Sequence, residues 1–483
     1  MMRRIFIDNQ WRESISKKIF NVYNPATGEI LAEVADGGRQ DMAEAIDTAN
    51  RAFPLWSGLT VDRRSEYILR LARNLSAQKE ETARIIALES GKPITEARGE
   101  VEYAYDFLVW YAEQAKRIEG ELIPSWAGWQ RIVVLRQPVG VVGCITPWNF
   151  PLAMITRKMA PALAAGCTVV IKPAEQTPLS ALKVAELCVA AEIPPGVVNI
   201  VPSNTPQEIA QELLQNPVVR KISFTGSTEV GRYLLKGSAD QIKRVSLELG
   251  GNAPFVVFED ADLQMAAEDA VICKFRNAGQ TCISANRFYI HRSVYRDFLE
   301  VFAEKVSKLR LGNGLDEATQ IGPLIDRQGY DKVVTQLKDA LEKGAKIRCG
   351  GQRETRGELA RGFFFQPTVI FDTTEEMLVM REETFGPICP VSSFGSEQEV
   401  IHKANNTIYG LAAYFYTNDY NRIIRVAERL EYGMIGINNS RISGAHIPFG
   451  GFKQSGLGRE GGRYGIDEFV ELKYLNLGLK KDG

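Results

Sequence analysis

Histidine is scarce in this chain: three residues, His291, His402 and His446, among 483. None has a metal-site partner at helical spacing, which leaves little material for a histidine-based metal centre or a Ser–His–Asp mechanism. Cysteine is sparse and scattered. The seven stand at 144, 167, 188, 273, 282, 349 and 389, an odd count with no CxxC pair. Neither a disulfide framework nor a zinc cluster is expected, and a reducing compartment is. An excess of one charge is lacking too. The 58 basic and 59 acidic residues leave a net charge of −1, with no electrostatic footprint for nucleic acid or an anionic membrane. The longest apolar run, Met159 to Ile171, stops at Lys172 and is too short to span a bilayer. The opening MMRRIFIDNQWRES has only three apolar residues after its arginines. That is no signal-peptide core, so the expected location is the cytoplasm.

What the chain does have is alternation. Residues 1–35 read as short strands and turns. Helical periodicity covers 41–53, 62–89 and 96–119, with Gly91, Lys92 and Pro93 breaking the last two apart. From residue 131 short apolar runs alternate with helical segments: 131–138, 139–147, 168–173, 197–202, 220–225 and 244–251. This predicts a parallel sheet of βαβ units, whose ligands gather at the C-terminal strand ends. Those ends carry Thr146–Asn149, Lys172–Glu175, Thr225–Ser227 and Glu248–Gly251. The pattern restarts after 251, giving a second α/β unit, and 469–479 alternates like an edge strand free to pair here or on a neighbouring subunit.

Several short motifs could carry chemistry. FRNAGQTCISANR (275–287) holds Cys282 among small and polar neighbours, which suits either a thiol nucleophile beside oxyanion-facing N–H groups or a small apolar side chain in a loop. TPWNFP (146–151) places Asn149 between two prolines, as an oxyanion donor or a turn asparagine. LELGG (247–251) puts Glu248 among leucines, where a raised pKa suits a general base; a salt-bridged structural glutamate fits equally. EETFGP (382–387) offers Glu383 and Phe385 in a tight turn. Two strings mislead. GLGREG (456–461) matches GxGxxG but follows no predicted strand and has no βαβ unit around it, so it reads as a glycine-rich loop. GSTEVGR (226–232) has arginine where a P-loop needs lysine, though Ser227 can still offer a helix N-terminus to a phosphate.

Taken together and in order, TPWNFP, GCTVVIKPAEQTP, FTGSTEVG, VSLELGGNAPFVV, FRNAGQTCISANR, EETFGP and PFGGFKQSGLGRE closely resemble an NAD(P)-dependent aldehyde dehydrogenase over nearly the whole chain. The resemblance implies an α/β fold with a Rossmann-like cofactor domain (1–118 and 139–249), a second α/β catalytic domain (250–447) and a small β oligomerisation arm (119–138 and 462–483). It makes Cys282 the nucleophile that forms a thiohemiacetal and then a thioester. Asn149 becomes the oxyanion donor and Glu248 the base that releases the acid. Lys172 is counted with these catalytic residues and also with the cofactor contacts. Around the dinucleotide the resemblance places Thr146, Pro147 and Trp148, then Lys172 and Glu175 at the adenosine ribose, and Gly226 and Ser227 at the pyrophosphate. Leu249 follows, and Glu383 and Phe385 stand at the nicotinamide ribose. A carboxylate at 175 accepts bonds from ribose hydroxyls and repels a 2′-phosphate, so NAD is expected over NADP. The loop 201–208, VPSNTPQE, lacks the glycine-rich turn many relatives carry.

Arg157 and Arg276 flank the chemistry motifs, and a guanidinium fork matches a substrate carboxylate. With Ser443 they resemble the carboxylate clamp of succinate-semialdehyde dehydrogenases. The expected reaction is therefore succinate semialdehyde to succinate. Glutarate or 2-oxoglutarate semialdehyde, lactaldehyde and cofactor-independent thiol-ester chemistry remain the alternatives. Arg441 in NNSRISGAH (438–446) is an additional cation able to shift chain-length preference. The expected partners are a small aldehyde and further copies of the chain as a homodimer or homotetramer, with no nucleic acid, membrane or metal.

Overall fold

The computed structural model describes residues 4–480. Residues 1–3 and 481–483, the outermost positions assigned to the cofactor domain and the arm, lie outside the described residues. Strands gather into sheets of eight, seven, three and two members. The centre of the eight-stranded sheet is parallel, in the spatial order Arg244–Glu248, Val219–Thr225, Val141–Ile145, Thr168–Lys172, Val198–Ile200. Every residue of Thr168–Lys172 and of Val198–Ile200 is buried, as the unbroken apolar runs predict for strands covered on both faces. Chain order reverses between Val141–Ile145 and Val219–Thr225. Their C-terminal ends open a crevice between Thr146–Asn149 and Gly226–Ser227, the kind of place where α/β sheets bind ligands.

The seven-stranded sheet is parallel apart from its outermost strand, Lys346–Cys349. Its central pair is Ala253–Val257 and Ala285–His291, with Ala253 opposite Ala285. Arg244–Glu248 of the first sheet runs into Ala253–Val257 of the second through only Leu249, Gly250, Gly251 and Asn252. The C-terminal edge of one sheet therefore abuts the N-terminal edge of the other, and both edges feed one cleft.

The tail strand, Val470–Gly478, pairs antiparallel with Gln130–Pro138 over nine residues, and Glu121–Ile123 completes that three-stranded sheet. Its edge is thus taken within the chain on one side and open on the other. The periodicity predicted over 62–89 resolves into two helices, Val61–Ala77 and Lys79–Ser90. Gln78 leaves the helical range at their junction (φ −109°, ψ 26°), a break that no glycine or proline marks in the sequence. GLGREG begins with a two-residue strand, Gly456–Leu457, that pairs with Leu247 and Glu248. It therefore edges the first sheet, beyond what a loop assignment predicts. Among the described residues no helix is long and apolar enough to cross a membrane.

A fully buried arginine locks the second sheet. Arg287 donates to the carbonyls of Asn252 (3.0 Å), Lys403 (3.1 Å) and Ala404 (2.8 Å) and to the Tyr432 hydroxyl (2.8 Å). Two of these carbonyls end the helix Glu397–Asn405, where a cation also meets the negative end of the helix dipole. Arg287→Met strands buried acceptors. Thermal or urea unfolding is expected to show a loss of about 3 kcal/mol; a loss near zero would remove this lock from the account.

Candidate active site

Cys282 lies in a turn set by three successive left-handed residues, Asn277 (φ 52°), Ala278 (φ 55°) and Gly279 (φ 77°). Left-handed backbone costs roughly 1–2 kcal/mol at a non-glycine residue, so neighbours must hold it. Asn277 N–H donates to Glu96 (2.8 Å), and its side-chain amide donates to the Asn149 carbonyl (3.1 Å). Gln280 accepts from the Ile325 N–H (2.9 Å) and donates to the Asn277 carbonyl (3.0 Å). Glycine is required opposite. A Cβ at Gly251 would sit 2.3 Å from the Cys282 carbonyl oxygen, so the crossing between the sheets presses directly on the nucleophile's turn.

The Ala253–Ala285 register puts Glu248 and Cys282 on one cavity, of about 690 Å³. Cys282 is half-buried and Glu248 buried. Burial pushes the Cys282 thiol up to about 12, with Arg157 pulling it back and the Glu383 and Glu248 carboxylates adding to the rise. Burial also raises Glu248 well above the usual carboxylate range. The neighbouring Glu460 adds to that rise, and Arg157, Lys158 and Arg459 oppose it. Glu248 Oε2 has no hydrogen-bond partner among the described residues. A thiol needing a proton acceptor and a carboxylate able to take protons thus share one dry wall.

The oxyanion side is anchored from the helical layer. The loop preceding the helix Ala153–Ala165 carries Asn149. Lys92 Nζ donates to the Asn149 carbonyl (2.7 Å) and ion-pairs with Glu100, both side chains being fully buried. Glu100 accepts from the Leu152 (2.9 Å) and Ala153 (3.2 Å) N–H groups at the start of that helix. One Asn149 side-chain N–H goes to the Gln280 carbonyl (3.0 Å), leaving the second for a ligand.

Every residue of the helix Ala153–Ala165 is buried, although it contains two cations. Arg157 Nη2 lies 2.9 Å from Glu460 Oε2, and its guanidinium lies 4.0 Å from the Phe449 ring centre. Lys158 pairs with the same carboxylate and donates to Thr225 Oγ1 (2.6 Å). These two cations hold Glu460 below the usual carboxylate range despite its burial. Arg276 is half-buried over the Phe150 ring, 5.2 Å from its centre. No ion pair engages it among the described residues. Tyr103 and Ser443 line the same wall.

The opposite end suits a dinucleotide. Ser227 caps the helix Thr228–Ser238, accepting from the Val230 N–H (3.2 Å), so its own proton and the first-turn N–H groups face an anion. Trp148 and Phe385 meet edge to face at 5.4 Å. Glu383 accepts from the Gly251 N–H (2.9 Å), and burial pushes its carboxyl up to about 6. An anion-facing helix start, an apolar slot and a carboxylate for ribose hydroxyls together fit a nicotinamide dinucleotide.

Of the residues singled out in the sequence, Cys282, Glu248, Asn149, Arg157, Arg276 and Ser443 line this cavity. So do Pro147, Trp148, Gly226, Ser227, Leu249, Glu383 and Phe385. Thr146 is buried at its margin, its N–H donating to the Lys172 carbonyl (3.1 Å). Lys172 and Glu175 lie outside it, with Glu175 lining a neighbouring cavity of about 370 Å³. Sequence reasoning missed Lys92, Glu100, Lys158 and Glu460. A readable signal existed for the last two: adjacent cations in an apolar helix demand a buried acid, and the discarded GLGREG string supplies it.

Lys172 also changes the cofactor argument. Its Nζ pairs with Glu175 at 2.8 Å, so the carboxylate expected to repel a 2′-phosphate is already partly neutralised. Comparison with known proteins overturns the expected preference for NAD outright. The chain is 50% identical to the Escherichia coli succinate-semialdehyde dehydrogenase [NADP(+)] GabD, over 99% of this chain and 98% of that protein. A crystal structure of an E. coli NADP-dependent enzyme superposes with a TM-score of 0.97 at 50% identity, covering 99% of this chain and 98% of that one. A glutarate-semialdehyde dehydrogenase of Pseudomonas aeruginosa is 49% identical over 99% of this chain and 98% of that protein. The family model described as "Aldehyde dehydrogenase family" matches residues 11–475, and on the strength of that match and these relatives the chain belongs to the aldehyde dehydrogenase family.

Proposed function

We propose that the protein oxidises ω-carboxy aldehydes, succinate semialdehyde first among them, to the corresponding acids, with NADP(+) as the electron acceptor. The observation that carries this reading is Arg276. A half-buried guanidinium that makes no contact ion pair among the described residues, the Glu96 carboxylate acting on it only at longer range, stands on the wall that holds Cys282, and such a group favours a close anion. Arg157 contributes less, because Glu460 already meets its charge. Ser443, on the same cavity, adds a hydroxyl. The names of the relatives point to the same substrate class.

The residues divide the work as follows. Glu248 takes the Cys282 thiol proton and passes it to solvent, the sulfur attacks the aldehyde carbon, and the free N–H of Asn149 and the Cys282 backbone N–H receive the oxyanion. Ser227, Trp148, Phe385 and Glu383 would hold a nicotinamide dinucleotide, which would supply the acceptor for the hydride lost from the Cys282 adduct. Glu248 Oε2 then accepts a proton from the water that releases the acid. Lys92 and Glu100 act as positioning residues, fixing the loop that carries Asn149. For the remaining architecture, we assign 1–118 with 139–249 to the cofactor domain and 250–447 to catalysis. Segments 119–138 and 462–483 form an arm whose exposed Leu472 and Tyr474 pair copies into a homodimer or homotetramer.

In steady-state assays Arg276→Ala should lower the ratio of kcat/KM for succinate semialdehyde to that for butanal about 100-fold, as expected for loss of a charge-assisted pair; an unchanged ratio would refute the clamp. Glu248 works as a base only when ionised, and its pKa is raised. Acid release should therefore slow as pH falls through that raised value, while in Glu248→Gln the slow residual rate should be flat with pH. A rate profile followed downward from alkaline pH decides this, and identical slopes in the two proteins would exclude Glu248 as the base. Glu175→Gln, which leaves Lys172 uncompensated, should lower KM for NADP(+) about fivefold relative to NAD(+). No relative change would place Glu175 away from the 2′-phosphate.

A further inference from the structure

The cavity carries a cation that the reaction above leaves unused. Its four lining cations are Arg157, Arg276, Lys332 and Arg441. Arg157 is met by Glu460, and Lys332 acts on Glu383 at the dinucleotide end. Arg276 is the half-buried cation beside the nucleophile. Arg441 differs from all three: it is exposed, and among the described residues no acid pairs with it. Its backbone is fixed, since its N–H donates to Asn439 Oδ1 at 2.9 Å. Next to it Ser440 is 7% exposed and lines the same cavity, and its hydroxyl has no hydrogen-bond partner among the described residues. Ser443, two residues after Arg441, lines the cavity as well. One short segment thus brings an unpaired guanidinium, an unpartnered buried hydroxyl and a second serine to the same wall.

We propose that Arg441 and Ser440 form an outer anion subsite that selects aldehydes whose carboxylate lies farther from the carbonyl than in a four-carbon ω-acid, namely five-carbon and longer ω-carboxy aldehydes. This rests on the ω-carboxy reading above. Exposure orders the arginines from floor to mouth: Arg157 buried, Arg276 half-buried, Arg441 exposed. A short acid places its carboxylate at Arg276. Each added methylene carries the carboxylate outward, until Arg441 supplies a second fork and Ser440 an O–H donor. At the mouth the anion keeps part of its hydration, so the selection is modest and sensitive to salt.

The test compares the parent enzyme with R441A and S440A, measuring kcat/KM for succinate semialdehyde, glutarate semialdehyde and pentanal. R441A is expected to lower the glutarate-to-succinate ratio about fivefold, with a smaller fall in S440A. Added KCl should lower that ratio in the parent and leave it unmoved in R441A. A ratio that stays constant in R441A, or an equal fall for both acids, overturns the outer subsite. Failure of the underlying reading shows separately, without any variant: the parent would turn over pentanal as efficiently as glutarate semialdehyde.

Discussion

Contact between the Gly250–Gly251 crossing and the Cys282 turn fixes the rest of the site. The crossing is four residues long, and it brings the edge of one sheet against the edge of another. Only bare backbone fits there, because a methyl at Gly251 would overlap the Cys282 carbonyl oxygen. The same contact sets Glu248 and Cys282 on one cavity and lets Gly251 N–H hold Glu383. The three groups proposed as nucleophile, base and ribose acceptor are tied to one stretch of chain without side chains. The left-handed turn at Asn277–Gly279 is the conformational cost of this arrangement, offset by hydrogen bonds that Asn277 donates to Glu96 and to the Asn149 carbonyl and accepts from Gln280.

Charge is handled by pairing in depth. Two cations from one fully buried helix, Arg157 and Lys158, converge on Glu460, which stays ionised, while Glu248 nearby is pushed toward its neutral form by burial and by Glu460 itself. Two carboxylates with opposing shifts in one dry pocket are the arrangement that separates a fixed countercharge from a working proton acceptor. Lys92 and Glu100 form a second buried pair, and its hydrogen bonds go to backbone rather than to water. Removing either partner of such a pair leaves a buried charge unmet, a far larger penalty than the pair's net contribution.

Much of this was legible in the sequence where local periodicity governs. The alternation of apolar runs and helices after residue 139 gives the parallel strands with small boundary shifts, because those strands are largely buried on both faces and read as apolar runs; the run 131–138, expected with them, instead pairs antiparallel with the tail strand in the small third sheet. Glu248 could be named because it stands among leucines at a strand end, Asn149 because it sits between two prolines, and Cys282 because it is a lone thiol among small and polar neighbours; the resemblance then gave each its role. The break at Gln78 could not be read, since nothing in its residue type disfavours a helix. Lys158 and Glu460 stand 302 positions apart, and only the folded chain reveals that they meet. Glu175 shows the reverse failure. Its residue type argued for one dinucleotide, but its charge depends on Lys172, three residues away in sequence and met through the fold of the loop between them.

The way the two sheets share their edges has a consequence for how the molecule acquires its chemistry. Every reacting group hangs from the seam, and neither sheet holds a complete set. A chain that has formed one sheet but not the other possesses helices, strands and even a cofactor crevice, yet remains inert. Refolding should therefore recover its far-ultraviolet signal well before its turnover, and the interval between the two measures how long the halves take to find their common border.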